Sequence, residues 1–336
     1  MNQSVARSWE STLGIRSRGV RLALISFLSL YFELTLIRWI PTQVRLLAYF
    51  TNFVLIAALL GLGVGMLIAR RQVRLLDYFG PAMVTLTLVV LLLERHNFVM
   101  PLVSEHQFVW NYATKLAVSG VLAYAVLVGF FLGMAGVFVL IGQEVGRALE
   151  GFRPLVAYSI NILGSLLGVV AFALISYLSV PPQIWFAVGA IGLLAYLFLG
   201  DTNKRWLPVA ALTLLSIVLA VYTDAVDKPE GVSRYWSPYY EIETRPIVLG
   251  TQAVGYDVIV NKDSHQQALD LSDRYAAEPF IQGRQRLYNL PYTMVKPRKV
   301  LVVGAGTGND VAAALRMAPG ATVDAVEIDP VIARLG

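Results

Sequence analysis

Seven stretches of the chain are apolar over enough consecutive residues to cross, or nearly cross, a lipid bilayer: 20–40, 46–69, 75–93, 116–141, 155–178, 184–199 and 206–222. A helix needs about 20 such residues to span the hydrocarbon core, so the last two stretches are short. The rest of the composition agrees, with 57% hydrophobic and 15% charged residues among 336, and a mean hydropathy of +0.63. An ordinary soluble domain carries about 25% charged residues. Trp39, Tyr49, Trp185, Trp206 and Tyr222 fall near the ends of the stretches, where amphipathic rings favour the membrane interface. The expected fold class is a multi-pass α-helical membrane bundle of about seven spans, over residues 20–222, with the lipid bilayer as its first partner.

The net charge of +5 does not imply nucleic acid, because the basic residues sit in short loops and read as topology signals. Arg7, Arg16, Arg18 and Arg21, then Arg70, Arg71 and Arg74, Arg147 and Arg153, and Lys204 and Arg205 mark alternate loops. The intervening loops hold only Arg38, Arg45, Arg95 and Lys115. Residues 1–19 are therefore expected as a cytoplasmic basic tail on a retained signal anchor in the cell (inner) membrane. Cysteine is absent and His96, His106 and His265 are scattered, so no metal site is expected.

Inside the spans, polar residues are few and need a reason. Glu33 and Arg38 both lie in the first span, where a charge costs about 2.5 kcal/mol or more near the centre. Five positions apart they point about 140° from each other on a helix, so they are not simple partners. Arg38 is near enough to the end to snorkel, and Glu33 is expected to face another helix, either as a polar site or as a helix-registering acid. Three G-x-x-x-G pairs, Gly61/Gly65, Gly129/Gly133 and Gly164/Gly168, are expected to let helix backbones approach closely. Tyr158, Asn161, Gly164, Ser165 and Gly168 share one face of the fifth span, which is open to two readings, close packing or a substrate-facing stripe.

After Tyr222 the sequence turns charged, Pro-bearing and alternating, which places a boundary near 223–231. Strand-like runs at 239–244, 255–260 and 266–271 and a helix over 279–294 make residues 223–297 a β-rich segment. Then Lys299-Val-Leu-Val-Val-Gly304-Ala305-Gly306-Thr307-Gly308-Asn-Asp310 reads as strand, glycine turn and helix, and a second strand over 322–326 delivers Glu327-Ile328-Asp329-Pro330. Glycines are needed where a ligand approaches bare backbone, the helix end favours negative charge, and a carboxylate after the second strand can take both hydroxyls of a ribose. Glu327 lies 19 positions after Gly308, close to the separation of about 20 expected of such an acid. The glycines read G-x-G-x-G, with Asn309 where a dinucleotide fingerprint has its third glycine, which counts against NAD and FAD. Asp329 reads as a helix N-cap with Pro330 at the first helical position. Residues 298–336 are thus the first βαβ of a Rossmann-like domain.

At these residues the chain resembles a family. Val300-Leu-Val-Val-Gly-Ala-Gly-Thr-Gly308 with Val326-Glu-Ile-Asp-Pro330 is similar to the S-adenosylmethionine-type motif of the spermidine synthases (polyamine aminopropyltransferases) and their methyltransferase relatives. The chain also resembles the integral-membrane spermidine-synthase-like proteins of bacteria, through Tyr31-Phe-Glu33-Leu-Thr-Leu-Ile-Arg38 and the Tyr158…Asn161…Gly164 span. Residues 223–297 resemble the small β-domain that precedes the Rossmann core of spermidine synthases, through Ser237-Pro-Tyr239 and the run ending Gln266-Gln267; the other reading is a β-lid without ligand contact. The resemblance implies a methyltransferase-type α/β domain and S-adenosylmethionine, or its decarboxylated form, bound by Gly304, Ala305, Gly306, Thr307, Gly308, Glu327 and Ile328, with no metal. It also implies a polyamine or other small-molecule acceptor.

The same family supplies an acid in the glycine turn, a glutamate on the preceding helix and a catalytic aspartate after the fourth strand. Here the turn has Thr307, the preceding helix reads Arg286-Leu-Tyr-Asn-Leu-Pro-Tyr292, and Gly336 ends the sequence before a fourth strand. The expectation is an incomplete domain, with methyl transfer as a rival to aminopropyl transfer and a non-enzymatic transporter or sensor as the third reading. Seven crossings from a cytoplasmic N-terminus would leave the domain outside, away from that nucleoside. An even number of crossings and a cytoplasmic domain is the preferred arrangement, with one short stretch, or the third, lying in the interface.

Overall fold

The computed structural model describes residues 3–44, 47, 50, 52–95, 120–200, 206–226, 231–275 and 277–336. Tyr49, Arg45, His96, His106, Lys115, Lys204, Arg205 and the expected starts of the second and fourth spans lie outside them. The chain divides into two units, Met1–Asp227 and Lys228–Gly336.

The first unit is helical. Its elements are α1 (Gln3–Gln43), α2 (Phe53–Leu67), α3 (Phe79–Arg95), α4 (Gly120–Leu149), α5 (Pro154–Tyr177), α6 (Pro182–Gly200) and α7 (Trp206–Val226), with a 3-10 turn Leu75–Tyr78 leading into α3. Among the described residues five helical segments are long and apolar enough to cross a membrane: Arg18–Gln43, Leu75–Arg95, Tyr124–Leu149, Pro154–Tyr177 and Pro182–Leu199. This is a membrane-protein architecture, with two fewer such helices than the seven apolar stretches suggest. The shorter ones are Phe53–Leu67 and Leu207–Leu219. At 1.5 Å per residue, the 15 residues of α2 cover about 22 Å of a core about 30 Å thick. The helix stops because the turn at 68–70 leads into Arg70 and Arg71, which a helix in lipid would not extend to include. The sixth stretch, short in sequence, gains length by starting at Pro182, since a proline is well tolerated in the first turn of a helix.

Glycines set two of the helix contacts. A Cβ at Gly164 or Gly168 would run into the carbonyls of Ala23 and Phe27 on α1, and one at Gly61 or Gly65 into those of Ala135 and Val139 on α4. Gly142 and Gly146 on α4 return the contact against Leu62 and Met66 of α2. Gly129 and Gly133 do not behave as expected, since nothing lies within 4 Å of the side chain either would carry. The face of α5 that bears Asn161 packs on α1. Ser26 Oγ donates to Asn161 Oδ1 at 2.8 Å, and Ser165 Oγ to Ser26 O at 3.4 Å. Tyr158 is 62% exposed and does not join that contact.

Glu33 is buried in α1 at 3% exposure. Arg38 is half-buried. Its guanidinium lies 4.5 Å from the ring centre of Trp185 on α6, a cation–π contact, while Tyr31 Oη donates to Trp185 O at 2.8 Å.

The second unit begins with an antiparallel sheet in the order β1 (Ser233–Trp236), β2 (Glu241–Leu249), β3 (Gln252–Val260) and β4 (Asp263–Leu269). β1 pairs with β2 at Ser233–Thr244 and Trp236–Glu241, and was not legible as a strand at four residues. An ion network ties β1, β2 and the β3–β4 turn: Arg234 meets Glu241 at 2.9 Å and Glu243 at 3.0 Å, and Glu243 also meets Arg245 at 3.0 Å and Lys262 at 3.3 Å. After the sheet come α8 (Pro279–Met294), β5 (Lys299–Val303), α9 (Asn309–Met317), β6 (Thr322–Val326) and α10 (Pro330–Leu335). β5 and β6 form a separate parallel pair, Val303 opposite Val326. Two small cores join these pieces. Ile242 and Val258 of the sheet pack on Val331 and Ile332 of α10, and Val254, Leu271, Tyr275 and Ile281 pack sheet against α8. The first core holds α10, and the turn before it, against the sheet.

Candidate functional site

The strand β5 ends because three glycines follow at alternate positions with left-handed backbone, Gly304 at φ 71°, Gly306 at 57° and Gly308 at 88°. That conformation costs other L-residues about 1–2 kcal/mol each, so the turn is open to glycine almost alone. Gly304 N and Ala305 N donate to Val326 O at 2.8 and 3.0 Å, which fastens the turn to the end of β6. Gly308 then caps α9, whose first residues are Asn309 and Asp310.

Glu327 closes the other side. Its Oε2 accepts from Gly306 N at 2.8 Å and its Oε1 from Asp329 N at 2.9 Å. Burial alone would raise its pKa, but the amides of Asp329, Gly306 and Ile328 and the nearby His265 outweigh that and hold it below the usual glutamate range. It is ionised at neutral pH. A carboxylate has about four acceptor positions, so acceptor capacity remains after these three amides are served. Asp329 Oδ1 accepts from Val331 N at 2.8 Å and Ile332 N at 3.2 Å, the N-cap read from sequence, with Pro330 in the first turn.

A cleft of about 790 Å³ lies beside the turn, lined among others by Gly306, Thr307, Asn309, Glu327, Tyr256 and Asp270. Ala305 and Gly308 also line it, whereas Gly304 and Ile328 do not; Ile328 is 71% exposed beside Glu327. Among the described residues, Thr307 Oγ1 in the cleft wall is buried without a hydrogen-bond partner, as are Gln266 Nε2, Gln267 Oε1 and Asp329 Oδ2 in the same unit. Such atoms cost free energy unless something pairs with them. Gln266 from β4 reaches over Gly306, where a Cβ would meet its amide.

Two cleft residues gave no signal in the sequence. Asn309 Nδ2 donates to Gln267 O and to Tyr288 Oη, the latter at 3.1 Å, and its Oδ1 accepts from Leu269 N at 3.2 Å, so it fixes the start of α9 to β4 and α8. As the residue that breaks the dinucleotide pattern, it was visible only by position. Asp270, after β4, accepts from Ser272 N at 2.9 Å, and hydrogen bonds from Ser272 lower its pKa. Among the described residues no group of three or more His, Asp or Glu is placed to hold a metal ion.

The arrangement can grip a small ligand that carries neighbouring hydroxyls, against bare backbone on one side and acceptors on the other. No protein-family model, no curated protein and no solved structure matches the chain.

Proposed function

We propose that the cleft of the Lys228–Gly336 unit binds S-adenosylmethionine or its decarboxylated form, and that the protein is a membrane-bound transferase of spermidine-synthase-like type. In this reading the short helices α2 and α7 belong to the membrane bundle, one short stretch or the third lies in the interface so that the number of crossings is even, and β5, α9 and β6 belong to a Rossmann-like domain. The observation that carries it is Glu327: ionised, anchored by the Gly306 and Asp329 amides, and still holding acceptor capacity, it suits the hydroxyls of a ribose. The glycine turn would lie against the ligand's amino-acid or aminopropyl portion, and exposed Ile328 offers an apolar surface to an adenine ring. The orphaned Thr307 Oγ1 and Gln266 Nε2 support the fit, since a polar ligand would pair them.

The bound sulfonium supplies an electrophilic carbon; the chain's task is to hold that carbon and an incoming nucleophile in line. Asp270 favours aminopropyl transfer to a polyamine, because an ionised carboxylate lining the same cleft can hold an ammonium group. Thr307 favours the second reading, methyl transfer, because the turn lacks the acid that aminopropyltransferases carry there.

Calorimetric titration of the full chain in detergent, with S-adenosylmethionine and with its decarboxylated form, tests the reading. One of them binds, and Glu327→Gln weakens binding by at least tenfold, the equivalent of one charge-assisted hydrogen bond. Absence of binding by either, or unchanged affinity in the variant, overturns it. Mass analysis of products formed with a polyamine panel then separates a gain of aminopropyl from a gain of methyl.

A further inference from the structure

A second polar cavity, of about 470 Å³, lies in the helical unit at the ends of several candidate spans. Arg18 and Arg21 open the first span, Arg74 precedes Leu75–Arg95, Glu144 and Arg147 close Tyr124–Leu149, and Tyr196 is near the end of Pro182–Leu199. Four elements therefore bring the ends of their apolar segments to one place.

Glu144 organises it. Its side chain is 5% exposed, and one oxygen takes Tyr196 Oη at 2.8 Å, Arg74 Nη2 at 3.3 Å and Arg21 Nη2 at 3.6 Å. Arg21 Nη2 also donates to Tyr196 Oη at 3.3 Å. One carboxylate fixes two guanidinium groups but neutralises only one. Arg147 is held as a strut, donating to the carbonyls of Ala69, Arg71 and Val73, which carry no formal charge. Glu150, also in the wall, is paired with Arg70 at 3.1 Å. The lining is thus left with a surplus of positive charge, in side chains already ordered by hydrogen bonds. Among the described residues no acceptor reaches the buried Arg21 Nε, and a guanidinium has five N–H groups to satisfy.

Basic residues that act only as topology signals need no such assembly, because exposed loops serve that purpose. A buried acid that holds arginines from separate elements around a cavity is the construction of an anion site, and planar guanidinium forks match phosphate oxygens. We infer that this cavity, built by Arg21, Arg74 and Glu144 with Arg18 at its edge, binds a phosphate group, carried by an anionic phospholipid headgroup or by a soluble phosphate compound. Glu144 is a positioning residue and the arginines are the contacts.

The test is binding of short-chain phosphatidylglycerol, short-chain phosphatidylcholine and inorganic phosphate to the full chain in detergent, each titrated separately. Phosphatidylglycerol is expected to bind in preference to phosphatidylcholine. Arg21→Gln and Arg74→Gln should each weaken it about tenfold, and Arg74→Lys less, since charge remains but the fork is lost. Arg95→Gln removes an equal charge at the other end of α3, outside the cavity, and should change nothing, and circular dichroism confirms that each variant is folded. If inorganic phosphate binds alone with the same arginine dependence, the source is a soluble phosphate and the site stands. Binding of neither anion, equal binding of the two lipids, or an equal loss in Arg95→Gln overturns the inference.

Discussion

Gly306→Ala isolates what the glycine turn requires. Two separable effects are expected at this position. The backbone sits at φ 57°, which costs an alanine about 1–2 kcal/mol, less about 0.4–1 kcal/mol recovered because alanine restricts the unfolded chain. The new Cβ also meets the Gln266 amide, whose Cδ and Nε2 lie 2.9 Å from it and whose Oε1 lies closer still. Gln266 is a flexible side chain and its Nε2 has no hydrogen bond to lose, so displacing it costs about 0.5–1.5 kcal/mol in rotamer strain. The single variant should therefore destabilise the turn by about 1–2 kcal/mol, and in a Gln266→Ala background the steric share should vanish. Hydrogen exchange of peptides covering β5 and β6 in the full chain reads this directly, as a roughly tenfold acceleration per 1.4 kcal/mol of lost protection. Equal acceleration in both backgrounds would mean that Gln266 does not cover the turn. No acceleration at all would mean that the left-handed turn itself is misjudged.

Glu243→Gln removes the central acid of the β-sheet network and should cost about 2–3 kcal/mol in denaturant unfolding of the second unit, less than a fully buried pair because Arg245 and Lys262 are 49% and 20% exposed. Burial pushes the Glu243 pKa up, but Lys262, Arg245 and Arg234 lower it on balance, so its contribution is complete above the ordinary glutamate value of about 4.3 and is lost as pH falls through the lower folded value. The acid-side loss of stability should be shallower in the variant. Asn309→Ala strands Leu269 N and should speed hydrogen exchange in β4 and α9 by an amount equivalent to about 2 kcal/mol. Gly164→Leu should lower the thermal stability of the helical unit by several degrees through collision with Ala23, whereas Gly133→Leu, with nothing in reach, should leave it unchanged.

Local signals in the sequence were readable where the physics is local. Pro279 and the Asp329-Pro330 pair start their helices as their types require, and the apolar lengths mark membrane helices without any knowledge of neighbours. Reading failed where a side chain finds a partner far along the chain. Arg38 stacks on Trp185 because a neighbouring helix puts a ring there, a partner that depth along the span does not reveal. Gly129 and Gly133 have the same spacing as Gly164 and Gly168, yet only the latter face another backbone. Glu144 and its arginines are separated by up to 123 positions from Arg21, and no spacing rule joins them. β1 is recognisable only through its pairing with β2.

The same limit applies to Glu327. Its place after β6 is legible as that of a ribose-binding acid, but its bonds to Gly306 N and Asp329 N give it a second task, holding the turn and the entry to α10 together. Any substitution there loosens the site as well as removing an acceptor, so a loss of affinity alone does not assign it. Glu327→Gln keeps one oxygen for an amide but turns an NH2 toward the other, and should cost about 1 kcal/mol of turn stability at this partly exposed position. A diol-binding role demands more: the loss of affinity must exceed the loss of protection in β5 and β6, and it must be largest for ligands that keep both hydroxyls. A 2′-deoxy analogue should lose less affinity in the variant than the ligand with both hydroxyls does. If instead the variant weakens both analogues equally, Glu327 is a buttress of the turn and the ligand is held elsewhere.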